Sequence, residues 1–159
     1  MSSNLVTITW TRDGARFTDN RYSRVHSWQF DGGFLVPASS SPDVVPVPYS
    51  DPANVDPEEA FIAALSSCHM LWFLSIAAKR GFVVDSYIDH AAGKLAQNET
   101  GQQVMTVVVL HPEVVFSSPN TPEPSEVDAI HHAAHESCFL ANSVKTEIQI
   151  RGVWSVLRS

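Results

Sequence analysis

The sequence has little positive charge, and this shortage removes two classes of partner. It carries 10 lysines and arginines against 17 acidic residues, which leaves a net charge of −7. Broad binding to nucleic acid or to an anionic membrane needs a basic surface, so neither is expected here. The first ten residues, MSSNLVTITW, lack the charged start and apolar centre of a signal peptide, so we expect a cytoplasmic protein.

A long uninterrupted apolar run is also missing. The most apolar stretch, residues 62–78, contains three serines, a cysteine and a histidine. A membrane-spanning helix needs about 20 predominantly apolar residues. We therefore expect a helix that is enclosed by protein, partly by a second subunit, and no membrane association.

Cysteines are scarce: Cys68 and Cys138 are the two in the chain, and neither a CxxC nor an HExxH motif occurs. In a reducing compartment, such a pair is more often redox-active, metal-binding or simply buried than a permanent disulfide. The sequence therefore leaves these three interpretations open at this point.

What the sequence does contain is a clearly delimited helix around Cys68. Asp56 is a suitable cap, and Glu59 stands three residues later, where a capping box needs a carboxylate. At the other end, Lys79 and Arg80 place positive charge on the last carbonyls, and Gly81 can adopt the left-handed conformation that ends a helix. The pattern predicts a central helix over about 57–80.

The remaining segments alternate or carry β-branched residues, which is typical of strands, apart from one further helix. The predicted strands cover residues 5–10, 21–30, 34–41, 82–97, 102–116 and 144–156, and the second helix covers 125–137. This order predicts an α+β fold in which helices cover antiparallel sheets. We expect one domain over 1–159, with strands in about 1–55, the central helix, and strands and a helix in 82–159.

Each cysteine falls on the inward side of its own predicted helix. If the helices pack together, the two sulfurs could meet and oxidise reversibly, as peroxide reduction requires. Two unrelated core cysteines are the alternative. A zinc site is another, because His131, His135 and Cys138 share roughly one side of a helix and His69 adjoins Cys68.

A reactive thiolate in the middle of a helix needs a cation from elsewhere in the fold. Alternation in residues 21–30 places Arg24 on the same strand face as three aromatic side chains, which predicts that this face is covered. Arg24 is therefore the preferred candidate, with Arg21 and Arg12 as rivals. The alternative is an ordinary strand arginine paired with a carboxylate.

Two motifs resemble those of one family. The stretch DPEEAFIAALSSCHM is similar to the NPEE…AACF motif of the OsmC/Ohr family, the osmotically inducible and organic hydroperoxide resistance proteins. The stretch SCFLANSVKTEIQI resembles the second-cysteine motif of that family, the CPVSNSL type followed by a terminal strand. The resemblance covers most of the chain from about Tyr22 to the end, including LHPEV in a middle strand.

The resemblance implies an intertwined α+β homodimer and a thiol-dependent peroxidase that reduces small organic hydroperoxides. Cys68 would be the peroxidatic cysteine, Cys138 the resolving one and Glu58 a helper; the catalytic arginine is assigned to Arg24 by spacing. Dithiols such as lipoylated proteins would be the reductant, and no cofactor or metal is implied. A non-catalytic or redox-sensing member of the family remains the alternative. His69 stands where the family often has phenylalanine.

Glu58 and Cys68 raise a geometric question. On one straight helix they would lie about 15 Å apart along the axis. They can act together if the helix breaks near Ala63 or if Glu58 comes from the other subunit.

Overall fold

A computed structural model describes residues 3–157; residues 1–2 and 158–159 of the predicted domain lie outside this range. Within this range the chain forms two compact units, one up to residue 60 and one from residue 61 onward. The single domain expected over 1–159 stays a prediction.

The first unit contains a three-stranded antiparallel sheet with the order β1-β2-β3. The strands are β1 (Val6–Thr9), β2 (His26–Phe30) and β3 (Leu35–Ala38). β2 begins later than predicted, because residues 21–25 do not join the sheet and the backbone N–H of Arg24 instead donates to the carbonyl of Tyr49 at 2.8 Å. Arg24 consequently precedes the strand rather than lying on one of its faces.

The second unit holds two further sheets, each with one parallel pairing. The first joins β4 (Val84–Asp89), β7 (Pro112–Ser117) and β9 (Val153–Leu157), and the second joins β5 (Ala92–Gln97), β6 (Gln103–Leu110) and β8 (Glu147–Ile150). β8 runs parallel to β6, and β9 runs parallel to β7. The α+β prediction is confirmed, but these sheets are mixed rather than purely antiparallel, because the chain returns through a helix before β8.

The central helix, α1 (Pro57–Lys79), has the ends that the sequence predicted. The backbone N–H of Glu59 donates to Oδ1 of Asp56 at 2.8 Å, and the Glu59 carboxylate reaches back to the N–H of Asp56 at 3.4 Å. Gly81 follows the helix with a φ of 81°, in the left-handed region. Since α1 is continuous, the break considered near Ala63 does not occur.

One stripe of α1 is buried within the protomer. Leu65, His69, Phe73 and Ala77 recur every four residues and are covered by the sheets and by the second helix, α2 (Pro124–Ser137). The rest of α1 is half-buried or open, and Leu71 is 60% exposed. By length and composition α1 could cross a membrane, with 22% of its most apolar window buried, although a core helix of a soluble protein meets the same criteria.

Candidate functional site

The two cysteines meet between α1 and the end of α2. Cys68 lies in the middle of α1, and Cys138 is the residue that caps α2, where its N–H donates to the carbonyl of His135 at 3.3 Å. Their Sγ atoms lie 2.7 Å apart, and both cysteines are free thiols. A disulfide requires about 2.05 Å between the sulfurs, so a small movement would join them.

The two thiols differ in exposure and in proton affinity. Cys68 is half-buried, whereas Cys138 is 1% exposed. Burial raises the pKa of Cys138, and its hydrogen bond to Cys68 raises it further, with partial opposition from the backbone N–H of Ala141, which donates to Sγ at 3.4 Å. Cys138 therefore stays protonated at neutral pH and donates its S–H toward Cys68.

A second pair crosses the same two helices beside the sulfurs. Nε2 of His69 lies 3.1 Å from Nδ1 of His131, and the rings are nearly parallel, at 7°. Both residues are almost fully buried. Burial is the main cause that lowers the pKa of each histidine to about 4. At His69 the charges of His131 and His135 lower the pKa further. At His131 the carboxylates of Asp128 and Asp89 act in the opposite direction and raise it. Both rings are neutral at pH 7.

The hydrogen bond between the two histidines was missed in the sequence analysis, where His131 and His69 were named only as candidate zinc ligands. The signal that could have found it is spacing: His69 lies four residues from Leu65 and from Phe73, and His131 lies four residues after Val127. Both histidines thus occupy core positions of their helices. Among residues 3–157, no group of three or more histidine, cysteine, aspartate or glutamate side chains is arranged to hold a metal ion.

Arg24 and Glu58 belong to the first unit. The Arg24 guanidinium donates to the carbonyl of Asn20 at 3.0 Å and to its Oδ1 at 2.7 Å, and it also bonds the carbonyl of Tyr22. It lies 3.7 Å above the centre of the Tyr22 ring. Glu58 is half-buried in the first turn of α1. Their roles as site residues remain predictions.

Two aromatic side chains follow the cysteines along the chain. Trp72 lies one helical turn after Cys68, and Phe139 directly follows Cys138. Their rings make an edge-to-face contact with centres 5.6 Å apart. Phe139 is 70% exposed. Exposed aromatic surface of this kind is suited to contact with an apolar ligand.

The structure thus holds two thiols in sulfur contact between α1 and the end of α2 of an α+β fold. Residues 50–151 match the family model described as OsmC-like protein. The chain belongs to this OsmC-like family, and the predicted family is confirmed. Proteins of the family are generally soluble and commonly homodimers.

Solved structures agree with this assignment. An OsmC-like protein of unknown function from Vibrio cholerae is 56% identical, with a TM-score of 0.94 over 96% of this chain and 100% of that one. An organic hydroperoxide resistance protein from Elizabethkingia anophelis is 17% identical, with a TM-score of 0.70 over 99% and 98% of the chains.

The organic hydroperoxide resistance protein OhrB of Bacillus subtilis is 16% identical, with a TM-score of 0.60 over 97% of this chain and 98% of that one. At these lower identities the likeness concerns the fold. No curated protein sequence matches the chain.

Proposed function

We propose that this protein is a thiol-dependent peroxidase that reduces organic hydroperoxides through Cys68 and Cys138. The observation that carries the proposal is the distance of 2.7 Å between the two Sγ atoms. Two reduced thiols held this closely can pass from dithiol to disulfide without unfolding, which is the change that a two-cysteine peroxidase undergoes in each cycle. Both the Elizabethkingia anophelis and the Bacillus subtilis structures are named as organic hydroperoxide resistance proteins, which supports the same activity.

The roles of the two cysteines follow from their surroundings. Cys68 is the more accessible and accepts a hydrogen bond from Cys138, so it is the thiol that a peroxide can reach and that attacks as a thiolate. Cys138 is buried, and its raised pKa keeps it protonated until Cys68 has been oxidised.

The proposed cycle conserves atoms and electrons. The Cys68 thiolate attacks the outer oxygen of the hydroperoxide, the O–O bond breaks, and the alkoxide leaves and takes a proton to become an alcohol. Cys68 is now a sulfenic acid. The sulfur of Cys138 attacks it, the S–O bond breaks, and hydroxide leaves with a proton as water. An external dithiol, for which a lipoylated protein is proposed, reduces the resulting disulfide by thiol exchange.

The surroundings favour an apolar substrate. The rings of Trp72, one turn after Cys68, and of Phe139, next to Cys138, touch each other, and Leu71 is exposed on α1. A lipid-like or aryl hydroperoxide can bury its organic group there, whereas hydrogen peroxide gains nothing from such a surface.

A cation to stabilise the thiolate is the remaining requirement. Among residues 61–157, the hydrogen-bond partners of the two sulfurs are each other and the backbone amides of Leu140 and Ala141, and none of these is a cation. We assign the cation to Arg24 and its support to Glu58. α1 is unbroken between Glu58 and Cys68, and ten residues of helix span about 15 Å. Because Glu58 is too far from Cys68 of its own chain, we assign it to Cys68 of a second subunit.

The proposed homodimer, assembled in the cytoplasm, also accounts for the open surface of α1. An apolar helix with Leu71 60% exposed leaves apolar area in water, and a second copy of the same helix would cover it. Leu71→Asp is expected to convert the dimer to monomer in sedimentation velocity. Val83→Asp, at a residue that is 58% exposed just after the helix, is the control and should remain dimeric.

Turnover of cumene hydroperoxide with dihydrolipoamide tests the activity. The wild-type chain and Ser67→Ala, a neighbouring exposed position, should turn over equally, whereas Cys68→Ser should fall to the uncatalysed rate. Turnover that survives in Cys68→Ser overturns the proposal. A disulfide that forms with one equivalent of peroxide but is not turned over would instead indicate a redox sensor.

Arg24 is tested separately. Loss of a charge that stabilises a reacting anion lowers activity about a hundredfold, so Arg24→Gln should lower kcat/KM by this factor. Arg21→Gln is the matched control and should leave kcat/KM unchanged. Wild-type activity in Arg24→Gln would show that another cation serves Cys68.

A further inference from the structure

A cavity of about 470 Å³ opens between α2 and the turn that joins β8 to β9. Its volume is typical of small-molecule sites, which measure about 300 to 1,000 Å³. Val127, Ile150 and Trp154 form its apolar wall, while Asp128, His131 and Arg151 contribute polar groups. The thiol chemistry proposed above uses none of these residues.

The proton arrangement of the histidine pair determines what the cavity offers. Nδ1 of His69 is buried and has no hydrogen-bond partner within the described chain. An N–H without an acceptor costs more when it is fully buried than when it borders an accessible cavity, so we assign the unprotonated nitrogen to Nδ1 of His69. Nε2 of neutral His69 then holds the proton and donates to Nδ1 of His131. Neutral His131 must therefore carry its own proton on Nε2.

His131 as a whole is 8% exposed. Its Nε2 forms no hydrogen bond among residues 3–157 and, unlike Nδ1 of His69, is not enclosed, so it is accessible from the cavity. A Cβ atom placed on Gly152 would lie 2.9 Å from this Nε2 and 3.2 Å from Cγ of Pro112. Because glycine has no side chain, a ligand in the cavity can approach Nε2–H of His131 past Gly152.

The cavity also carries two opposite charges that do not neutralise each other. Arg151 and Asp128 both line it, and the described residues show no ion pair between them. Nη2 of Arg151 donates to the uncharged Oε1 of Gln149 at 2.8 Å. A ligand that bears only one charge would be attracted by one of these groups and repelled by the other.

We propose that this cavity binds a small zwitterion with an apolar body, of the chemical class of free α-amino acids with an aromatic or large aliphatic side chain. The carboxylate takes hydrogen bonds from Arg151 and from Nε2 of His131. The ammonium group faces Asp128, and the apolar side chain packs against Trp154. This binding is independent of the peroxidase activity and does not rest on it.

Calorimetric titration of the reduced wild-type protein with three probes tests the ligand class. L-Phenylalanine carries both charges, hydrocinnamate only the carboxylate, and phenethylamine only the ammonium group. Exposed ionic contacts contribute up to about 1 kcal/mol each, so each single-charge probe should bind about fivefold more weakly than phenylalanine.

Variants then assign each charge to its residue. Arg151→Gln should weaken phenylalanine and hydrocinnamate by about fivefold and leave phenethylamine unchanged or tighter. Asp128→Asn should have the converse effect. Arg80→Gln and Asp31→Asn remove the same charges at exposed sites outside the cavity, and should bind all three probes as the wild type does.

Gly152→Ala tests the approach to His131 without removing a charge. Because its Cβ would crowd Nε2, phenylalanine binding should be lost while the far-ultraviolet circular dichroism stays native. Equal binding of the three probes, or insensitivity to Arg151→Gln, would overturn the proposal. So would the absence of phenylalanine binding at about 10 mM, a concentration that would detect even a weak site.

Discussion

Two side-chain pairs join α1 to α2, and they come from consecutive residues of α1. Cys68 meets Cys138 at 2.7 Å between sulfurs, and His69 meets His131 at 3.1 Å between nitrogens. Of the two partners, His131 lies on α2 and Cys138 caps its end seven residues later, and both contacts show these side chains facing α1. One helix crossing therefore holds a thiol pair and an imidazole pair next to each other.

The pairs differ in access. Cys68 is half-buried, whereas His69 is 2% exposed and belongs to the stripe of α1 that faces the core. A rotation of about 100° per residue separates the two positions on the helix. That single step places one side chain where a reagent can reach it and the next where none can.

The pairs also differ in the direction in which burial shifts their pKa values. Burial raises the pKa of Cys138 and lowers the pKa of both histidines, because in each case it disfavours the charged form. The cysteine pair can still react, since Cys68 remains accessible. The histidine pair is confined to its neutral state and contributes to the fold as a buried hydrogen bond. Reactivity in this crossing thus depends on exposure rather than on residue type alone.

The difference between the two pairs is tested most directly by removing the resolving thiol, Cys138. With one equivalent of cumene hydroperoxide, the wild-type chain should lose both thiols and form the disulfide. Cys138→Ser should stop at the Cys68 sulfenic acid, which dimedone traps and mass spectrometry detects, and excess peroxide should oxidise it further to the sulfinic acid. Ser137→Ala, at the adjacent position, should behave as the wild type. A disulfide-free wild-type product would contradict the assignment.

Removal of one histidine should have the next largest effect, which is a fall in the free energy of unfolding. His69→Ala empties a fully buried site and leaves Nδ1 of His131 without a partner, so the free energy of unfolding should fall by about 2 to 4 kcal/mol. Urea denaturation of the reduced protein measures it.

In the double variant with His131→Ala, the loss should be smaller than the two separate losses combined, by about 1 kcal/mol, because the shared hydrogen bond is removed only once. Strict additivity would show that the two rings do not interact.

Much of this arrangement was predictable from the sequence, because it depends on interactions between residues that are close together in the chain. The ends of α1 were predicted from Asp56, Glu59 and Gly81, whose capping interactions depend on residues a few positions apart. The two cysteines were expected on the inward sides of their helices from spacing alone. That they meet was a hypothesis, which the 2.7 Å separation now supports.

What escaped prediction depends on tertiary packing. The parallel pairings of β8 and β9 arise from how the chain returns after α2, which no local pattern encodes. Arg24 was predicted inside a strand because residues 21–30 alternate, but the loop around Tyr49 takes its backbone hydrogen bond instead. His69 and His131 were named only as candidate zinc ligands, and their direct hydrogen bond was missed because it depends on how α1 and α2 pack together.

Acid should destabilise the protein through the histidine pair. Each folded-state pKa is about 4 against an ordinary value of 6.5, so in this range the unfolded chain binds more protons than the native one. Stability is therefore complete above about pH 6.5 and falls as the pH drops toward 4, by about 1.4 kcal/mol per pH unit for each histidine.

Urea midpoints measured between neutral and acid pH should follow this slope. His132→Gln removes an exposed histidine whose side chain is 75% accessible, and it should leave the slope unchanged. A slope that is as steep at alkaline pH would point to other groups.

The smallest expected effect separates burial from neighbouring charge as the cause of this acid sensitivity. Burial is the main reason for the low pKa of His69, and the positive charge of His135 is a minor one. His135→Gln should raise the folded-state pKa of His69 slightly. The native state would then take up its proton with less penalty, so acid unfolding should move to lower pH by less than about 0.5 unit. A larger shift would show that charge repulsion across α2, and not enclosure in the core, keeps the imidazole pair neutral beside the reactive thiols.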